Sequence, residues 1–562
     1  MEQQRLFLWV SLAFVLLLIW QEWAKDYRQP PPPPASADAQ LAAPVDPDAG
    51  ALPTAPTASD DGGLPSAPAP TPGSAFVPTV SPAADAGTRV RIETDVLELD
   101  VGSTGANLRR AVLTAYRVSA SNPAPVTLLD DASVAEFYVM NSGVRGVGDA
   151  PQPTHREPFA STRTEYVLDN GGDELRVPFS WSSGDLSATK TYVLRRGSYE
   201  VDIETTLTNN SNEVWRGSPY LQLRRHQQQQ KRSFTDVESF SYRGSVVFDG
   251  TKYEKLKAKP LRRDGFGATA TGGWFASIQH HFLGAIVPPA DQPMRFEASI
   301  NDTNIVTLSA ISNQLYEVAP GQTVTFEQSL FIGPKLQDQL REVSAKLPLA
   351  VDYGFFKIFA QPLFWVLDKI HSLIGNWGFS IILLTILIKG AFYKLSEQAG
   401  FSMAKMRKVT PRLQQLQERY KDDRMQLNQK MMELYKKEKV NPAAGCLPLL
   451  VQMPVFIALY WVLLESVELR QAPFMLWLQD LSARDPYFVL PLLMGVSMFV
   501  QQKMNPPPTD PVQARVFQLL PIVFTFFFAF FPSGLVLYWL VNNVLTAAQQ
   551  WRINKVVERA SS

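Results

Sequence analysis

The sequence predicts a multi-domain membrane protein. It would have an α-helical membrane core of five spans plus an N-terminal anchor span, with a large antiparallel β-sandwich domain outside the cytoplasm. Five apolar segments crowd the C-terminal third, one short apolar run opens the chain, and between them the hydrophobic period changes to two. At 562 residues the chain is too long for one core. Lys+Arg and Asp+Glu number 53 each, which excludes a bulk-basic nucleic-acid binder and an acidic tail protein. The single cysteine, Cys446, excludes an internal disulfide and a cysteine-based zinc site.

The anchor, 1–28, rests on Leu6 to Trp20, which is apolar apart from Ser11. Trp9, Trp20 and Trp23 extend it as interface residues. The residues after it, Gln21-Glu22-Trp23, are too bulky for a cleavage site, so the reading is an uncleaved anchor. Residues 29–87 form a linker. Pro30 to Pro34 and the prolines beyond bias it to polyproline II, and it lacks the apolar surface to fold. Over 88–346 strands follow one another. Tyr199, Val201, Ile203, Thr205 and Leu207 alternate with Glu200, Asp202, Glu204, Thr206 and Thr208 after an Arg196-Gly197-Ser198 turn. Val324, Phe326, Gln328 and Leu330 repeat the pattern after Pro320-Gly321. Leu336 to Lys346 reads as helix and leads into an amphipathic interfacial region, 347–374.

The core, 375–550, holds the five segments Trp377–Leu395, Ala444–Leu464, Tyr487–Met504, Phe517–Phe531 and Leu535–Gln549, with a helical hairpin over 397–441 and a basic tail over 551–562. Lys and Arg crowd the hairpin and tail, whereas the loop between the third and fourth spans has only Arg470 and Arg484. The hairpin is therefore cytoplasmic, and with six spans both termini are too. Met406, Val409, Leu413, Leu416 and Tyr420 make one hairpin stripe, and Leu427, Met431 and Leu434 the other. The exposed face carries Lys405, Arg407, Lys408, Arg412 and Arg419. It either obeys the positive-inside rule or docks a ribosome, nascent chain or targeting factor.

Enzyme signatures are absent: there is no Walker A, His-Glu-x-x-His or Gly-x-Ser-x-Gly sequence. No motif asks for a cofactor or metal. His280 and His281 are adjacent and on a strand would face opposite ways. The five segments contain no Asp or Glu between their ends, Glu465 standing at a boundary, which argues against a coupled transporter. They do contain Lys389. It lies roughly 18 Å along the helix from Trp377, so in the cytoplasmic half of a core about 30 Å thick. Either it snorkels to the interface or it lines a wet cavity. Polar faces favour the cavity. Thr385, Lys389 and Tyr393 are spaced i, i+4, i+8; Tyr538, Asn542, Thr546 and Gln550 repeat that spacing, as do Gln452 with Tyr460 and Ser497 with Gln501. Pro448, Pro454, Pro491 and Pro521 interrupt the spans.

Gly375-Asn376-Trp377-Gly378-Phe379-Ser380, Ser402 to Met406, Asn441 to Pro448, Gln452-Met453-Pro454, Val467 to Phe474 and Phe531-Pro532-Ser533-Gly534-Leu535 resemble the YidC/Oxa/Alb insertase family, Gram-negative type. Phe331-Ile332-Gly333-Pro334 is a weaker match in the outer domain. The resemblance implies a bacterial inner-membrane insertase and membrane chaperone with a periplasmic sandwich. It would act alone or with the Sec translocon and its accessory subunits on nascent membrane proteins, in contact with membrane lipids and without nucleic-acid specificity. It implies a hydrophilic, lipid-open groove around Lys389, Thr385, Tyr393, Gln452, Tyr460, Ser497, Gln501, Tyr538, Asn542 and Thr546. It also implies that clients slide out past Met453, Pro454, Phe456, Thr525 and Phe528. Most members carry arginine where this sequence has Lys389, which keeps the charge but loses the planar fork. The rival readings are a solute transporter or channel, and a scaffold of the Sec translocon.

Overall fold

The computed structural model describes residues 88–119, 122–148, 150–228, 239, 241–420, 423–438, 447–504 and 511–559. The expected anchor and linker lie outside the described residues, as does most of the expected Asn441 to Pro448 motif.

Alternating burial builds the sandwich. Strand Glu200–Asn209 buries every second residue, Val201, Ile203, Thr205 and Leu207 among them. It pairs with Thr323–Pro334 in the register Val201 to Leu330 and Ile203 to Gln328. The strands form an eight-stranded and an eleven-stranded sheet. Pairing is antiparallel except where Arg89–Glu93 runs parallel to Glu165–Val167. Phe275 and Phe296 meet edge-on at 5.3 Å in the shared core. A short helix, α1 (Ala258–Asp264), packs under the strand Pro293–Ile300.

One core position is a cation. Lys190 is fully buried on the strand Leu186–Arg195, donating to the carbonyls of Gly105 (2.5 Å) and Ser142 (2.9 Å) with its Nζ 4.9 Å from the Phe159 ring. Burial lowers its pKa to about 7. The unfolded chain keeps this lysine protonated up to about pH 10.4. Above about pH 7 the unfolded state therefore binds more protons, and folding stability rises with pH. Melting temperature should climb between about pH 7 and about pH 9, and Lys190→Met should flatten that climb; an unchanged slope in the variant would assign it elsewhere.

Beyond the sandwich come α2 (Gln337–Val343) and α3 (Lys357–Ile374). The helical region continues with α4 (Trp377–Ala391), α5 (Tyr393–Arg419), α6 (Arg424–Lys437), α7 (Leu447–Glu465), α8 (Val489–Met504), α9 (Pro511–Phe528) and α10 (Ser533–Arg559). Several expected boundaries move, among them that of the fourth core segment, which runs Pro511–Phe528 rather than Phe517–Phe531. The first segment does not run to Leu395: it breaks at Phe392, where α4 and α5 meet at a 68° bend. The hairpin consequently begins at Tyr393. The tail is not separate, because α10 continues unbroken to Arg559. Among the described residues no single helix is long and apolar enough to cross a membrane, while the bent pair α4 and α5 passes that test together. Pro454 and Pro521 lie inside helices, whereas Pro491 sits in the first turn of α8, where a missing N–H costs nothing.

Sandwich and helices are joined by polar contacts, most of them buried. His280 and His281 occupy the turn between the strands Trp274–Ile278 and Phe282–Val287, so they do not face opposite ways. Their rings stack at 3.8 Å, and both Nε2 atoms reach the carbonyl of Leu464 at the end of α7, at 2.8 and 3.3 Å. Lys335, where the last strand ends, stands 3.5 Å from Glu465, and both are 1% exposed. Arg470 donates to the carbonyls of Arg117 (2.9 Å) and Val118 (2.7 Å) and packs over Phe282.

Candidate functional site

The site forms where α10 crosses its neighbours. Asn542, Asn543, Thr546, Gln549 and Gln550 are spaced i, i+1, i+4, i+7 and i+8, one polar face of α10. Each of four neighbouring helices meets that face through a hydrogen bond. Lys389 of α4 donates to Thr546 Oγ1 at 2.8 Å, and Gln452 of α7 donates to Asn542 Oδ1 at 3.0 Å. Asn543 donates to Ser497 Oγ of α8 at 3.1 Å, and Gln549 to the carbonyl of Tyr393 of α5 at 3.2 Å. These bonds hold open a cavity of about 480 Å³ lined also by Ser396, Met403, Gln501 and Gln502, with Phe517, Leu520 and Pro521 of α9 as its apolar wall. Lys389 is the one charged side chain among the described residues lining it. Gly400 lets α5 approach: a Cβ there would stand 2.5 Å from Ile553 Cδ1.

The end of the bundle that meets the sandwich is packed shut. Asn376 caps α4 by accepting from Phe379 N at 3.1 Å and donates to the Phe474 carbonyl at 3.0 Å. Gly378 admits Phe474, since a Cβ would lie 2.0 Å from its ring. Ser533 N and Gly534 N donate to the carbonyls of Ala483 (2.7 Å) and Leu481 (2.9 Å). Asp485 accepts from Trp477 Nε1 (3.0 Å) and from Leu490 N (2.7 Å). The Gly375–Ser380, Val467–Phe474 and Phe531–Leu535 motifs thus build one plug.

Residues 369–560 match the 60Kd inner membrane protein family, and residues 89–366 match the YidC periplasmic domain. A membrane protein insertase YidC of Thioalkalivibrio sulfidiphilus is 45% identical over 576 residues, covering 100% of this chain and 99% of its own. That of Methylococcus capsulatus is 45% identical over 565 residues, with 100% and 99% covered. The chain belongs to the YidC membrane protein insertase family. That family is one of inner-membrane insertases rather than enzymes, and its large domain is periplasmic. A crystal structure of an active YidC insertase with its first transmembrane domain resolved aligns over 83% of this chain and 94% of that one, at 16% identity and a TM-score of 0.37.

Of the groove residues expected in this family member, the cavity brings together Lys389, Gln452, Gln501, Asn542 and Thr546. Ser497 borders it through Asn543. Thr385 is buried and donates to Ile381 O in its own helix at 2.6 Å. Tyr393 falls beyond the Phe392 bend, so it does not continue the Thr385–Lys389 face; its hydroxyl accepts from Arg552 at 3.0 Å. Tyr460 packs on Trp461 and Phe531, and Tyr538 is buried and stacks with Phe456. Of the expected sliding residues, Met453 is exposed, and Phe456 abuts Trp539 at 4.5 Å. Pro454 and Thr525 are half-buried, Thr525 donating to Pro521 O, while Phe528 is buried against Trp539 and Phe531. The sequence reading missed Ser396, Met403, Gln502, Asn543 and Gln549. Counting i+1 and i+7 positions beside Asn542 would have found the last two.

In the hairpin, Val409 and Leu413 of α5 are buried against Met406, Met431, Leu434 and Tyr435. Asp423 caps α6 by accepting from Met425 N and Gln426 N. Lys405, Arg407, Lys408, Arg412 and Arg419 are exposed, Lys408 donating to Val557 O and Arg412 pairing with Glu438 at 2.6 Å.

Proposed function

We propose that this chain inserts nascent proteins into the bacterial inner membrane through the cavity around Lys389. The observation that carries this is a polar, singly charged cavity set against an apolar wall and sealed on its outer side by the packed plug. Moving a charged segment across hydrocarbon is costly. A wet recess reaching partway shortens the dry path. Lys389 holds the incoming acidic segment, and apolar side chains then pass to lipid along α7 and α9, past Met453, Pro454, Phe456, Thr525 and Phe528. Apolar transfer drives the step, so no nucleotide is needed. In this reading α4 with the start of α5, then α7, α8, α9 and α10 are the five spans. The segment 1–28 is a sixth, and both termini are cytoplasmic. The exposed apolar side chains of α8 and α9, such as Leu492, Val496, Ile522 and Phe526, face lipid. The Sec translocon, with its accessory subunits, and the ribosome with a targeting factor are partners.

Photocrosslinkers at Gln501 and Met403 should capture a stalled nascent membrane protein, while one at the outer-plug residue Trp477 should not. Equal capture at all three sites would defeat the reading. The hairpin serves as a client or targeting-factor dock. Deleting 404–439 behind a short linker should leave a folded, membrane-embedded protein that fails to support growth. Full growth of that strain would reduce the hairpin to topology alone.

A further inference from the structure

A second cavity, of about 350 Å³, opens in the sandwich, far in sequence from the helical bundle. Its wall includes Arg225 and Arg243. Arg225 stands at the end of the strand Trp215–His226, its guanidinium 4.7 Å from the Tyr138 ring centre. One of its five donors is used on Ser277 Oγ, at 2.9 Å. The rest have no partner among the described residues, and neither arginine has a carboxylate within ion-pair distance among them. Burial and the charge of Arg243 both press against the Arg225 cation. The acids in the wall do not offset this. Asp130 accepts from Ala132 N at 2.8 Å and Glu136 from the Ser133 hydroxyl at 3.4 Å, and neither is among the charges acting on Arg225. His226 Nδ1, on the same wall, is buried without a hydrogen-bond partner.

The Arg225 guanidinium, pressed by burial and by the neighbouring Arg243 charge, with free planar donors and an orphaned ring nitrogen beside it, costs free energy unless something neutralises it. A guanidinium pair suits an oxyanion, which accepts paired N–H bonds. The volume lies at the lower end of the range for small-molecule sites. We propose that this recess is a ligand site of the outer domain for a small molecule bearing a carboxylate or a phosphate group. The Arg225 and Arg243 guanidiniums grip the oxyanion, and the Tyr138 ring holds Arg225 in orientation.

The test is calorimetric titration of the full chain in detergent at constant ionic strength. The probes are citrate, inorganic phosphate, glycerol phosphate and neutral glucose. At least one anion should bind saturably and glucose should not. Citrate binding alone identifies a carboxylate ligand. Glycerol phosphate binding tighter than phosphate identifies a lipid headgroup, and the reverse a soluble phosphate. Arg243 is exposed, so Arg243→Gln leaves the fold intact; it should weaken the anion about tenfold, and Arg243→Lys should retain most of the affinity. An unchanged melting temperature for both variants checks the fold. Absence of saturable anion binding, equal affinity in Arg243→Gln, or glucose binding as tightly as the anions would overturn the proposal.

Discussion

Lys389→Glu should impair insertion of clients with acidic translocated segments more than any other substitution at that position. Lys389 is the one charge on the described wall of the bundle cavity, and its single bond is to a neutral hydroxyl, Thr546 Oγ1, at 2.8 Å. No carboxylate in that wall pre-empts it, so its field is available to a passing acidic side chain. A hydrated pair at contact distance is worth about 1 kcal/mol, rising to about 4 kcal/mol where water is thinned. Removing attraction in Lys389→Ala should therefore slow acidic clients by about tenfold, and reversal should cost more. Lys389→Arg should stay active, and clients with neutral translocated segments should change little in every variant. Thr546→Val keeps the charge and removes only its tether, so its effect should be the smallest of the series. Insertion of matched acidic and neutral clients into vesicles is the measurement. If Lys389→Glu inserts acidic clients as well as the unmodified protein, attraction is not what Lys389 provides.

The sandwich was legible because a half-buried strand writes its pattern with period two, and Val201, Ile203 and Leu207 are indeed its inward residues. The plug was legible only as motifs: Gly378 looks unremarkable until Phe474 is placed against it. The bend at Phe392 was not legible. Hydropathy runs on past it to Leu395, and no proline marks the break; beyond it α5 packs on α10, a long-range contact with no local signature. That bend removed Tyr393 from the Lys389 face. Spacing by fours found Asn542 and Thr546 but passed over Asn543 and Gln549, since a helix face wide enough to line a cavity also takes i+1 and i+7. The histidine pair does not sit on a strand because Gln279 to His281 is a tight turn between two strands. Long-range polar contacts, such as Lys335 with Glu465, carry no local periodicity at all.

That last pair carries the largest stability effect expected in the chain. Lys335 Nζ and Glu465 Oε2 are 3.5 Å apart and buried, but neither completes a hydrogen bond. The attraction is therefore Coulombic, at a site where burial depresses the lysine pKa and Glu465, with a smaller part from Asp352, restores part of it. Such a pair adds little over well-packed apolar residues, yet removing one partner strands the other charge, at a cost of about 3–5 kcal/mol. Glu465→Leu alone, or Lys335→Met alone, should loosen the sandwich from the end of α7. Early proteolysis around 335–356 and a lowered melting temperature would report the loosening. The double variant Lys335→Met with Glu465→Leu should recover most of the loss, because neither charge is then stranded. The recovery separates a buried ion pair from two independent packing residues, whose losses would simply add. Insertion by the double variant reads the second consequence. If the sandwich helps only by being held to α7, activity returns with stability; if activity stays low while stability returns, the charges themselves are used.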